Sequence, residues 1–242
     1  MKKFLFLFVL MALTTGFITA DVYIKQKIHT DAINIMGQNQ PAVDDFNEIW
    51  FSDNKMAMLS PGTSIIVDMA KKVVIMVNLE GKSYVEMEIP VDFSKYIPEE
   101  MAQMAQMMLN TSVTVQPTGE TATINDWKCE AYDVDMDMVM FQMKMKVWAS
   151  KDVPFDWKDL MNVNLEVIKV SLRLNDQSVQ EMAKIDGFQI KSETTMNMMG
   201  TDINSYQEVI EISQKPAPSD IYSVPEGFTK QDKFSSADFM RR

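Results

Sequence analysis

The chain predicts an α+β fold, an antiparallel sheet with helices laid against it. Three observations carry this. Hydrophobicity alternates with period two through most of residues 22–89, gives way to a 3.6-residue stripe near residue 97, and alternates again from Ser112. Short turn-forming clusters separate the alternating runs, so successive strands are expected to pair as neighbours.

Val22, Ile24 and Ile28 face one way while Lys25, Lys27 and His29 face the other, the pattern of a half-buried strand. Glu48 to Phe51 and Met56 to Leu59 flank the polar loop Ser52-Asp53-Asn54-Lys55. Thr63, Ile65, Val67 and Met69 form another inward set, followed by the turn Ala70-Lys71-Lys72. Val73 to Leu79 is apolar on both faces, as a central strand would be. Glu80-Gly81-Lys82 then leads into Ser83 to Ile89, where Val85, Met87 and Ile89 alternate with Glu86 and Glu88. Five strands joined in order by short turns make a meander.

Ile97, Met101, Met104, Ala105 and Met108 fall on one helical stripe. Pro98 suits the first turn, Glu99 and Glu100 the positive end of the dipole, and Asn110 a stop. Strands resume at Ser112, with Tyr132, Val134, Met136, Met138 and Met140 opposite Asp133, Asp135 and Asp137. At Phe141 the phase shifts, and Met143, Met145 and Val147 oppose Lys144, Lys146 and Trp148; a bulge or turn between 137 and 142 would do this. Residues 156–175 carry two patterns. Leu160, Val163, Val167, Val170 and Leu174 have heptad spacing, yet Ile168, Val170, Leu172 and Leu174 alternate, so a helix is expected for the first half only. A short helix over Ser178 to Ile185 should stop before Gly187, and Phe188 to Met198 and Ile203 to Ser213 read as a hairpin turning at Gly200. Pro216 and Pro218 open an irregular tail, loose over residues 231–242.

Lys2 and Lys3, the apolar run Phe4 to Leu13, and Ile18-Thr19-Ala20 have the layout of a signal peptide cut near Ala20. The apolar run is too short to span a bilayer, which takes roughly 20 residues. The residue after Ala20 is Asp21 rather than cysteine, so a lipid anchor is not expected. Residues 1–20 are therefore assigned as leader, and 21–230 as a single domain exported to the periplasm without spanning the membrane. Removing Lys2 and Lys3 lowers the basic count from 23 to 21 against 34 acidic side chains, a formal charge of −13. Such a field repels phosphate backbones, so no nucleic-acid partner is expected.

Enzymatic chemistry has little to stand on. The one histidine, His29, sits on the polar face of a strand, and a triad would need it beside a nucleophile on another element. One histidine and one cysteine, Cys129, cannot supply a usual zinc site, and Cys129 reads as a small buried hydrophobe. Asp133, Asp135 and Asp137 imitate a calcium loop, but Met138 replaces the required glycine and Lys144 the closing glutamate. Ser52 and Lys55 have the Ser-x-x-Lys spacing without its companion motifs. No cofactor and no metal are expected, and the protein reads as non-enzymatic. The 23 methionines fit a lineage preference, a soft adaptable cavity, or a Cu(I) site; for copper they are spread along the chain rather than gathered with histidines.

The segments Ile124-Asn125-Asp126-Trp127-Lys128-Cys129-Glu130-Ala131-Tyr132 and Val147-Trp148-Ala149-Ser150-Lys151-Asp152-Val153 resemble an exported bacterial family of unknown function within the LolA-like superfamily of lipoprotein carriers. Gly187-Phe188 and Val224-Pro225-Glu226-Gly227-Phe228 add two weaker echoes, and the likeness covers most of residues 21–230. The resemblance implies a sheet curled into a half-open β-barrel with helices covering its concave face and an acyl chain between them. Met101, Met104 and Met108 on the helix, with Tyr132, Val134, Met136 and Trp148 on the strands, are the expected ligand-lining residues. No carrier docking motif is recognisable, so lipoprotein carriage itself is not implied. The expected function is binding of a lipid, acyl chain or other apolar ligand; the alternative is a structural or protein-interaction module of the cell envelope, serving stress sensing or assembly through an envelope protein partner.

Overall fold

Alternation dictates strands, and strands dominate. The computed structural model describes residues 21–35, 38–99, 111–137, 141–172, 174–198 and 200–235. The strands are β1 (Asp21–Thr30), β2 (Ile33–Ile35), β3 (Gln38–Gln40), β4 (Val43–Ser52), β5 (Lys55–Ser60), β6 (Thr63–Asp68), β7 (Val73–Asn78) and β8 (Ser83–Glu88). They continue as β9 (Ser112–Ile124), β10 (Trp127–Asp137), β11 (Phe141–Ser150), β12 (Phe188–Met198), β13 (Thr201–Lys215) and β14 (Thr229–Gln231). Helices α1 (Trp157–Leu172) and α2 (Asp176–Met182) separate β11 from β12.

Twelve strands form one sheet in the order β14-β8-β7-β6-β5-β4-β1-β13-β12-β11-β10-β9, while β2 and β3 pair separately. The meander expected over residues 48–89 is present as β4 to β8. β1 joins it to the second half of the sheet by pairing with β4 on one side and β13 on the other. The sheet is not closed: β14 and β9 are its edges. It does curl. The Asn125 amide, at the tip of the β9–β10 hairpin, donates to the Val209 carbonyl at 3.0 Å on β13. β13 lies three strand spacings from β10, about 14 Å in a flat sheet, so one side chain bridges them only when the sheet bends.

One face of the sheet and α1 share the main apolar core. Ile24, Met56, Val67 and Val74 from the strands meet Leu160, Val163 and Val167 from the helix. This stripe explains residues 156–175: the helix runs through Leu172 rather than ending halfway. Burial of the i, i+3, i+7 face outweighs the strand preference of its β-branched residues. α2 begins two residues earlier than the sequence indicates, because Asn175 caps it by accepting from Ser178 N at 2.8 Å. Across the phase shift near residue 141, β10 and β11 pair antiparallel with Asp137 opposite Gln142. Of the methionine-striped helix expected from Ile97, residues 100–110 lie outside the described residues; Ile97 itself is extended and closes a 3-10 turn over Phe93–Tyr96.

The tail beyond Pro216 is irregular but anchored. Ile221, Tyr222, Val224 and Phe228 pack on the opposite face of the sheet, over Tyr23, Trp50, Ala57, Ile66 and Val77. β14 then pairs parallel to β8. Phe234, expected to be loose, is buried, stacks on Phe93 at 5.2 Å, and donates its N–H to the Tyr96 carbonyl at 2.9 Å. An aromatic side chain returning to an apolar corner outweighs the polar residues around it.

This covered outer face has a pH consequence. Burial, followed by the carboxylates of Glu48 and Glu211, pushes the Tyr23 hydroxyl up to about 12. The unfolded chain ionises its tyrosines near 10, so the contribution is intact below that pH and is lost as pH rises through about 12. We expect a decline of roughly 2–3 kcal/mol over that window in urea unfolding. Tyr23→Phe should reduce it, with a remainder from Tyr222, whose hydroxyl is also pushed up by burial and Asp21, while leaving the Lys215 ammonium 3.2 Å above the ring centroid. An unchanged alkaline decline in that variant would assign the effect to another group.

Candidate functional site

Three of the residues expected to line a ligand space do gather. Tyr132, Val134 and Met136 project from β10 to the side of α2, where they meet Leu174, Met182 and Ile185. Val134 and Met136 are 1% exposed, so their surfaces are filled by neighbouring side chains. Met143, Met145, Leu165, Ile168 and Val179 are only partly buried and rim this cluster. The Tyr132 hydroxyl accepts from Asp186 N at 3.3 Å, and burial is the main cause that raises its pKa. Glu181 ties α2 to the edge strand by accepting from Val115 N at 3.3 Å. Trp148 is not part of this group. It lies beside the register shift between Trp148 and Ala149 and packs against the main core, with the Lys146 ammonium 5.4 Å from its ring centroid. Met101, Met104 and Met108 lie outside the described residues.

The opposite face of β10 to β13 and β1 carries a feature that sequence reasoning missed, an open groove of ≈ 790 Å³. Cross-strand pairing lines up its floor. One row runs Asp133, Lys146, Glu193, Tyr206, His29 across five strands. The next runs Asp135, Lys144, Thr195, Asn204. Neighbouring charges alternate in sign, the arrangement that favours strand pairing. His29 is fixed between two carboxylates, with Nδ1 3.0 Å from Asp44 Oδ1 and Nε2 3.2 Å from Asp31 Oδ1. Its ring stacks on Tyr206 with centroids 5.2 Å apart. The His29 contact, then that of Lys27, holds the Asp44 carboxyl below its ordinary range. Lys146 bonds both oxygens of Glu120 at 2.7 Å, which raises its ammonium pKa.

Cys129 is 2% exposed, and burial pushes its thiol up, away from the reactive thiolate. Ser52 and Lys55 pair directly at the base of the β4–β5 hairpin, with the Lys55 ammonium 4.0 Å from Asp68. Among the described residues, no group of three or more His, Cys, Asp or Glu side chains could hold a metal ion. No helix among them is long and apolar enough to cross a membrane.

Two solved structures overlap the chain broadly but loosely. A domain from Vibrio parahaemolyticus named for outer membrane lipoprotein sorting is 8% identical, with 84% of this chain and 89% of that chain covered at a TM-score of 0.31. A DUF1329 family protein from Desulfovibrio piger is also 8% identical, with 85% and 90% covered at a TM-score of 0.31. At this level neither overlap bears on function. No curated protein matches the chain. A family model matches residues 26–228, nearly the whole of the described sheet and its helices, and by that match the chain belongs to the family described as Domain of unknown function (DUF4412).

Proposed function

We propose that this is a non-enzymatic, exported protein of the periplasm that encloses an acyl chain or a similar apolar group between its sheet and helices. The observation that carries the reading is the partly open rim of the second apolar cluster. Met143, Met145 and Leu165 are only half-buried beside the fully buried Val134 and Met136. Unbranched methionine side chains at such a rim repack at little cost to admit a guest. Each methylene buried there contributes about 0.8 kcal/mol, so apolar enclosure alone gives useful affinity. The signal-peptide layout of residues 1–20 supports export.

Native mass spectrometry of the chain from Asp21, purified without detergent and then incubated with phospholipid vesicles, tests this. The expected result is a bound mass that dissociates as a fatty acid or phospholipid, with occupancy reduced at least tenfold by Leu165→Glu. An apo mass after incubation, in protein with native circular dichroism, overturns the reading.

A further inference from the structure

We propose that the outer groove is a second, independent binding site, for a neutral hydroxyl-rich ligand of the short-oligosaccharide class. Its volume, ≈ 790 Å³, lies within the roughly 300–1,000 Å³ that small-molecule sites occupy. Its lining is polar where such sites are ordinarily apolar, so the ligand must supply many hydrogen bonds. Five carboxylates (Asp31, Asp133, Asp135, Glu193, Glu208) face three ammonium groups (Lys144, Lys146, Lys191). Along the cross-strand rows their signs alternate, so the groove offers no unbroken run of one charge to an ionic polymer, and its excess of two carboxylates disfavours an anionic one.

What alternation does create is a dense lattice of acceptors and donors. Carboxylates only accept, ammonium groups only donate, and the Asn204 amide and Thr195 hydroxyl do both. A hydroxyl is the ligand group that also does both, so a polyhydroxylated chain satisfies the lattice without forming ion pairs. The Tyr206 and His29 rings, stacked on each other at the end of one row, add an apolar aromatic edge against which the C–H groups of a sugar can pack.

The groove is also preorganised. His29 is held by Asp31 and Asp44, Lys146 by Glu120, and Lys191 by Glu193 at 2.7 Å. Side chains fixed before binding lose less freedom on binding. The site lies on the face opposite Tyr132, Val134 and Met136, so it does not depend on the apolar reading above.

The test is isothermal titration of the chain from Asp21 with a panel of neutral hexose and N-acetylhexosamine tetrasaccharides, alongside a sulfated tetrasaccharide and an unrelated heptapeptide. At least one neutral member should bind, with affinity falling about tenfold or more in Tyr206→Ala and in Lys144→Ala. Lys144 is exposed on the strand face, so its variant remains informative if Tyr206→Ala fails to fold. Binding should hold between about 0.02 and about 0.3 M salt, because no net charge is neutralised. Three results each overturn the proposal: no neutral member binds, binding survives both substitutions, or the sulfated sugar or peptide binds in preference.

Discussion

Gly187→Ala should destabilise the protein by about 3 kcal/mol or more, although it adds a single methyl group. Gly187 sits at φ +150°, immediately before β12, a conformation that side-chain-bearing residues adopt only under strain. A Cβ there would lie 3.0 Å from both the carbonyl carbon and oxygen of Ser150 and 3.1 Å from its nitrogen. Ser150 pairs with Phe188 as the last rung between β11 and β12, so the backbone it would strike is held by the ladder. The strand would have to part where Phe188 and Ile190 enter the main core. Gly119→Ala is the control: its φ of +77° also disfavours alanine, but nothing lies within 4 Å of the added atom. It should cost only about 1–2 kcal/mol. Equal losses in the two variants, measured by urea unfolding, would show that conformation alone decides both sites and that the close approach at Ser150 relaxes.

The contrast between these glycines shows where local sequence stops informing. The pattern of alternation, Val85 against Glu86 or Val134 against Asp133, locates strands because each residue's facing depends only on its neighbours. The turns after Asp68 and Asn78 are equally local, with Lys72 and Lys82 at positive φ beside small or polar residues. What escaped is non-local. β14 is a polar three-residue segment whose strand character comes wholly from pairing with β8, some 146 positions earlier in the register. The second half of α1 is helical because its neighbours in space are the sheet interior, which the β-branched pattern of Val167, Ile168 and Val170 does not reveal.

The same divide separates the two candidate sites. Tyr132, Val134 and Met136 share a face by alternation alone, and the structure keeps them together. Alternation also put Trp148 with Lys144 and Lys146, away from them, a grouping that the resemblance to lipoprotein carriers overrode. The outer groove draws its floor from β10, β11, β12, β13 and β1, five strands spread from His29 to Tyr206. Each of its residues reads as an ordinary solvated strand position. Only the pairing register makes Asp133, Lys146, Glu193 and Tyr206 a row.

Met136→Ala should cost about 2–5 kcal/mol, and the way it does so separates a packed interior from a ligand space. Met136 is 1% exposed between Val113 and Met143 on the neighbouring strands, in a cluster closed by Leu174 and Met182. Truncation removes three heavy atoms from that contact and leaves a void which strands on both sides prevent from collapsing. Met136→Leu nearly conserves volume and should cost under about 1.5 kcal/mol, so the loss in the alanine variant is packing rather than chemistry. If the cluster also receives an acyl chain, the void becomes part of its space. A bound chain that fills it regains about 0.8 kcal/mol per methylene, so Met136→Ala should bind longer chains better than the parent and recover part of its stability in their presence. Urea unfolding with and without saturating fatty acids of increasing length measures both effects on one sample. Recovery that grows with chain length would place the ligand against β10; a full loss that no chain relieves would make Met136 core alone and move the apolar site elsewhere.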